Sequence, residues 1–280
     1  AIENSGKQED TKNADIEISA DAQKANGDEE ETQDPIAAAG AENVAAAATP
    51  VWTKQAEVNR DKLLDFDYLV KNFYRIDRTT TIDSSELNPG QLLAKDLTID
   101  TNVGGPVILI YHTHSQEGFV DSDGSEGMTV MGLGDRLTSL LQDTYGIPVL
   151  HHRGKYDVDG RDYAYSNAEP EIRQVLADNP TIQVVIDLHR DGVGDDVHLV
   201  TDIGGKQTAK IMFFNGLSRT TSTGPIDYLQ NPNLQDNLAT SLQMQIAAAE
   251  LYPGFTRPVF LKGYRYNMHM CPKSMLIEVG

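Results

Sequence analysis

The stretch Val107–Phe119, VILIYHTHSQEGF, opens as a short apolar, β-branched run and ends in His112, His114 and Glu117. A run of this length and composition reads as a buried strand. Two later segments repeat the form: IQVVIDLHRDG (182–192) ends in Asp187, His189, Arg190 and Asp191, and SMLIEVG (274–280) carries Glu278. Between and around them the pattern turns helical. TVMGLGDRLTSLLQDTYG (129–146) spaces Val130, Leu133, Leu137, Leu140 and Leu141 on one face and stops at Gly146. EPEIRQVLADNP (169–180) predicts a short helix stopped by Asn179-Pro180, and NLQDNLATSLQMQIAAAELYPG (233–254) a long amphipathic one. IPVLHH (147–152) predicts another strand, DVHLVTDIGGKQTAKIMFFNG (196–216) two strands joined near Gly204-Gly205, and RPVFLKGYRYN (257–267) one more. Strands alternating with helices predict an α/β domain over 104–280, its mostly parallel sheet flanked by helices.

Ahead of that domain, Gly104-Gly105-Pro106 marks a boundary, and residues 51–103 read as a small accessory segment. Its apolar residues Val58, Leu63, Leu64, Phe66, Leu69 and Val70 have roughly helical spacing, and Asn88-Pro89-Gly90 reads as a turn. Residues 1–50 are different in kind. They hold 12 acidic side chains against 3 lysines, 13 alanines and no aromatic residue. Such a segment buries too little apolar area to offset its ordering entropy, so a disordered linker is expected there. An alanine-rich acidic lead of this sort suits a tether between a membrane anchor and a folded domain.

With a net charge of −19, the chain lacks the basic face that nucleic acid requires. A single cysteine, Cys271, excludes an internal disulfide and a multi-cysteine zinc site.

Parallel α/β sheets bind ligands at the carboxyl ends of their strands. Histidines and carboxylates at three such ends suggest a metal site. Two histidines and one carboxylate, with a fourth position left for water, form a catalytic zinc set. Glu278 interrupts an apolar strand, where a charge is costly without a partner or a task, and it suits the general base. Asp187 and Asp191 are candidates for orienting an imidazole. His151, His152 and His198 read as surface polar residues. Taken singly, a strand-terminal histidine or an H-x-x-E pair is weak evidence; the coincidence of three strand ends carries the reading.

ILIYHTHSQEGF (108–119), GIPVLHHRGKYD (146–157), YAYSNAEPEI (163–172), VVIDLHRDG (184–192) and MLIEVG (275–280), in this order, resemble the stage II sporulation protein P family. LDFDYLVKNFYRIDRTTTIDSSELNPGQLLAKDLTI (64–99) resembles the region before its catalytic domain. The resemblance implies a membrane-anchored, extracytoplasmic cell-wall hydrolase at the sporulation septum, related in fold to zinc-dependent N-acetylmuramoyl-L-alanine amidases. Carried over by position, it implies Zn2+ held by His114, Glu117 and His189, with Glu278 as catalytic glutamate. His112 stands as an alternative first ligand and Glu126 as an alternative carboxylate. Arg190 is implied to steady a substrate carbonyl or carboxylate. Peptidoglycan is the implied substrate, cut between N-acetylmuramic acid and L-alanine or within cross-links, to thin septal wall during engulfment. The implied partners are the lytic transglycosylase stage II sporulation protein D and stage II sporulation protein M. Two other readings stay open: a zinc carboxypeptidase, and a wall-binding module without turnover.

Overall fold

A computed structural model describes residues 52–280 except Asp195, so the predicted linker over 1–50 lies outside the described residues. In chain order the elements are α1 (Arg60–Leu63), α2 (Phe66–Phe73), β1 (Tyr74–Ile76), α3 (Pro89–Ala94), β2 (Ile108–Tyr111), α4 (Val130–Ser139) and β3 (Val149–His151). Then follow α5 (Ala164–Asp178), β4 (Val184–Arg190), β5 (Val200–Ile203), β6 (Lys206–Ala209), β7 (Ile211–Gly216), β8 (Arg219–Thr220) and β9 (Gly224–Pro225). The chain closes with α6 (Leu234–Leu251), β10 (Val259–Lys262) and β11 (Lys273–Val279).

Seven strands form one sheet in the order β1-β10-β7-β11-β4-β2-β3. β3, β2, β4 and β11 run parallel to one another, as do β1, β10 and β7, and the two blocks meet at the antiparallel β7/β11 pair. The sheet is therefore mostly parallel, as the pattern predicts, with one reversal that no local pattern announces. From β2 the chain goes outward through α4 to the edge strand β3, then back through α5 to β4 on the other side of β2. That change of winding direction opens a crevice between the carboxyl ends of β2 and β4, where α/β sheets place ligands.

Alternation along the strands sorts the core into two layers. Ile108, Ile110, Val184, Ile186 and Leu188 face a large cluster with Leu238, Leu242 and Ile246 of α6; Leu133 and Leu137 of α4 pack against it. Leu109, Tyr111 and Val185 face the other way, onto Ala164, Ala168 and Ile172 of α5. The spacing of Leu238, Leu242 and Ile246 puts them on one stripe of α6, each almost wholly buried. Full burial of each such side chain contributes about 1.5–3 kcal/mol.

Several local expectations shift. Asn88-Pro89 does not make a free turn: the Asn88 side chain accepts from the Gln91 N–H, and Pro89 occupies the first turn of α3. That is the proline-compatible start of a helix. The helix expected over 169–180 begins at Ala164 and accommodates Pro170 inside it. Of 196–216, two strands form the separate β5/β6 hairpin and the last, β7, enters the main sheet. Residues 52–103 share the main core: β1 is the sheet's edge strand, and Leu63, Leu69, Phe73, Leu87 and Leu92 lie in the α6-side cluster. Among the described residues no helix is long and apolar enough to cross a membrane.

Candidate active site

The carboxyl ends of β2, β4 and β11 bring the predicted residues together. Parallel pairing sets Glu278 directly beside His189, Cα opposite Cα, on the α5-side face. The His114 and His189 rings meet edge to face with centroids 5.3 Å apart. Glu117 Oε2 lies 3.4 Å from His189 Nδ1. His114, Glu117 and His189 are all buried.

Fixed partners hold this group. Asp187 receives the Thr113 N–H at 2.8 Å and the Thr113 hydroxyl at 2.6 Å, and its Oδ1 stands 2.8 Å from His189 Nε2. The last approach is close in distance but not aligned as a hydrogen bond, since that nitrogen has no hydrogen-bond partner; it is a charge contact. Ser115 Oγ donates to buried Asp157 at 2.7 Å and fixes the loop after His114. Glu117 Oε2 accepts the Arg190 backbone N–H at 2.9 Å, and Oε1 accepts from Arg161 at 2.5 Å.

Burial works against charge at each of these groups, and neighbours decide the outcome. Burial would raise the Glu117 carboxyl, yet His189, the Arg190 N–H and Arg161 hold it down to about 2. Burial would lower His189, but Asp187, Glu117 and Glu278 push it up to about 10. Glu278 goes the other way: burial, helped by the Glu117, Asp191 and Asp187 carboxylates, lifts it to about 7 against the pull of His189. Its Oε2 is buried with no hydrogen-bond partner. Two carboxyls in one site thus hold opposite protonation tendencies, the arrangement that separates a ligand or stabiliser from an acid/base group.

His114 Nδ1 is likewise buried without a partner. Two donors on a tetrahedral zinc, each about 2.0–2.1 Å from the ion, stand about 3.4 Å apart; His189 Nδ1 and Glu117 Oε2 have this separation. Asp187 behind the other His189 nitrogen completes a carboxylate–histidine pair of the kind that supports metal ligands. The donor types are those zinc takes, but among the described residues no three His, Cys, Asp or Glu side chains are grouped closely enough to hold a metal ion. The Arg161 guanidinium on Glu117 is the competing contact.

The alternative residues are engaged elsewhere. His112 Nδ1 lies 2.7 Å from the Leu188 carbonyl and Nε2 2.8 Å from His151 Nε2, so both nitrogens are taken. Glu126 is an exposed residue paired with Arg153 and Lys155. Asp191 pairs with Arg257 instead of an imidazole. Strand alternation turns the Arg190 side chain away from the His189 face, and its guanidinium donates to the Asp191 carbonyl at 3.0 Å. His151, read as a surface residue, has a largely buried side chain that bridges His112 and Asp135. His152 too is mostly covered, 2.6 Å from the Tyr156 hydroxyl.

Sequence reading missed Arg161, Asp157 and Tyr165, whose ring meets His114 edge-on at 5.7 Å. They lie in the loop before α5 or at its start, and nothing in their spacing marks them.

The family model for Stage II sporulation protein P (SpoIIP) matches residues 2–280. Stage II sporulation protein P of Bacillus subtilis (strain 168) is 26% identical over 206 residues, covering 66% of this chain and 48% of that relative. The chain thus spans about half the length of the curated relative it matches.

Proposed function

Because the chain belongs to the stage II sporulation protein P family, we propose that it is a zinc-dependent peptidoglycan hydrolase serving sporulation. Its proposed bond is the amide joining N-acetylmuramic acid to the L-alanine of the stem peptide, with cross-link cleavage as a second activity. The setting is extracytoplasmic, at the septal wall thinned during engulfment, with the full-length protein anchored to the membrane. Stage II sporulation proteins D and M are the proposed partners.

One observation carries the reading: Glu278, lifted to about 7, sits beside His189 at the strand end that also gathers His114 and Glu117. His114, Glu117 and His189 would hold the ion. A zinc ion there would acidify a water molecule and polarise the scissile carbonyl. Glu278 takes the water proton on its carboxylate and returns it to the departing L-alanine nitrogen, a role its near-neutral pKa suits. Asp187, locked by Thr113, keeps a negative charge 2.8 Å from His189 Nε2.

A carboxypeptidase reading needs an arginine free to clamp a terminal carboxylate. Arg190, the arginine the sequence offers for that role, faces away. A non-catalytic module has no use for a buried, unpartnered Glu278 oxygen.

Zinc analysis combined with peptidoglycan digestion tests the proposal. Wild-type protein is expected to bind zinc and release intact stem peptides with free L-alanine amino groups. Glu278→Gln is expected to keep the zinc and lose the release. Single-residue loss from the peptide, or undiminished release by the variant, overturns it.

A further inference from the structure

The sheet has a second set of carboxyl ends. Because β7 runs against β11, the ends of β1, β10 and β7 open at the edge opposite the His189 site. A cavity of about 480 Å³ lies there, lined by Thr79 after β1, Thr221 and Ser222 after β7, and Lys262, Tyr264 and Tyr266 at and after the end of β10. The rule that ligands sit at strand carboxyl ends makes this a candidate ligand position as well. Ser218, Tyr266 and Asn267, in the loops that follow β7 and β10, are the non-glycine residues with positive φ among those described (50°, 48° and 53°). Such backbone costs free energy and gathers where geometry serves a ligand.

The lining has a distinct chemistry. Thr79 donates its hydroxyl to Asp77 at 2.5 Å and Thr221 to the Arg78 carbonyl at 3.1 Å, which leaves both oxygens free to accept. Tyr264 is 56% exposed and offers an aromatic face. Lys262 is the cavity's one cationic side chain, and its charge already acts on the Asp77 carboxylate, helping to hold it below its ordinary value. Tyr266 reaches both ways: it lines the cavity, and its ring packs edge-on against Tyr165 at 5.2 Å, which in turn meets His114. Hydroxyl-accepting walls, an aromatic platform and one cation suit a pyranose that carries hydroxyl and amide N–H donors and a single carboxylate. An anionic polymer would call for several cations.

We propose that this cavity is a glycan subsite that binds an N-acetylated amino sugar of the wall strand, stacked on Tyr264, with Lys262 meeting the lactyl carboxylate of a peptide-free muramic acid. The choice of sugar rests on the wall-hydrolase reading above; the site itself rests on the cavity.

Peptide-free glycan fragments contain no scissile amide, so their binding is independent of turnover. Calorimetric titration of the full chain with fragments of alternating N-acetylglucosamine and N-acetylmuramic acid is expected to show saturable binding. Tyr264→Ala is expected to weaken it by about tenfold, as befits loss of an aromatic contact, with an unchanged melting temperature because the ring is largely exposed. Lys262→Met is expected to weaken the muramic-acid fragments and leave N-acetylglucosamine oligomers unaffected. Absence of wild-type binding, full binding by Tyr264→Ala, or binding of free stem peptide in place of glycan overturns the proposal. Failure of hydrolysis with glycan binding intact would count against the amidase reading alone.

Discussion

Glu278 and His189 are register partners in neighbouring parallel strands, so the backbone ladder itself fixes their separation. No loop intervenes between the proposed base and the proposed ligand. A site built on paired strands holds its geometry better than one built on loops.

The pH dependence follows from this pairing. The proposed base Glu278 could act only when ionised, and its carboxyl is raised to about 7. Hydrolysis is expected to fall as pH drops through this region, with the midpoint at or below about 7 because a bound cation favours the carboxylate. A kcat/KM profile on a soluble muropeptide checks it; a flat profile from pH 5 to 8 would exclude Glu278 as the base.

Zinc uptake should have its own pH dependence. In the metal-free protein His189 is held protonated, with a pKa raised to about 10, and a metal ligand must be neutral. Affinity is therefore expected to rise with pH by up to about tenfold per unit below that value, with proton release on binding. Calorimetry in buffers of different ionisation enthalpy measures the released proton.

Asp187→Asn removes the charge behind His189 and one of the two oxygens that accept from Thr113. Zinc affinity is expected to fall about 10–100-fold. Because His189 then sheds its proton more readily, the pH dependence of uptake should flatten at the same time. Chelator competition at two pH values reads both effects.

Arg161→Gln should act in the opposite direction. Arg161 would compete with a bound metal for Glu117, but it is 61% exposed, so the contact is worth at most about 1 kcal/mol. Zinc affinity is expected to rise by about two- to fivefold on its removal. A loss of affinity would instead make Arg161 a support for Glu117.

Gly134 packs against the buried histidine pair on the other sheet face. An added Cβ there would lie 2.6 Å from His151 Nε2 and 2.7 Å from His112 Nε2. Gly134→Ala is expected to cost about 1–3 kcal/mol through this overpacking, read as a lower urea midpoint with zinc binding retained.

The parts legible in the sequence were those where a short-range signal and a physical need coincide. His114, His189 and Glu278 stand out because each follows or interrupts an apolar strand, where a polar group needs a reason. Arg161 and Tyr165 reach the site from a loop and a helix start, and no periodicity connects them to Glu117 or His114. His151 looked like a surface residue because its partners, His112 and Asp135, are brought to it only by packing of α4 and β2. Asn88-Pro89-Gly90 has turn composition, yet asparagine and proline serve equally well to start a helix. The β7/β11 reversal depends on the placement of β7, which lies far from β11 in sequence.

That reversal also bears on how the protein is made. β11 is inserted between β4 and β7, both of which precede it in the chain. Until it arrives, the nascent polypeptide holds two half-sheets of opposite strand direction, each with an open edge of the kind that invites aggregation. Such a chain already contains His114, Glu117 and His189 but not Glu278. On the proposed mechanism, hydrolysis would therefore wait for β11, and a chain stopped short of it would be prone to aggregate before it could cut.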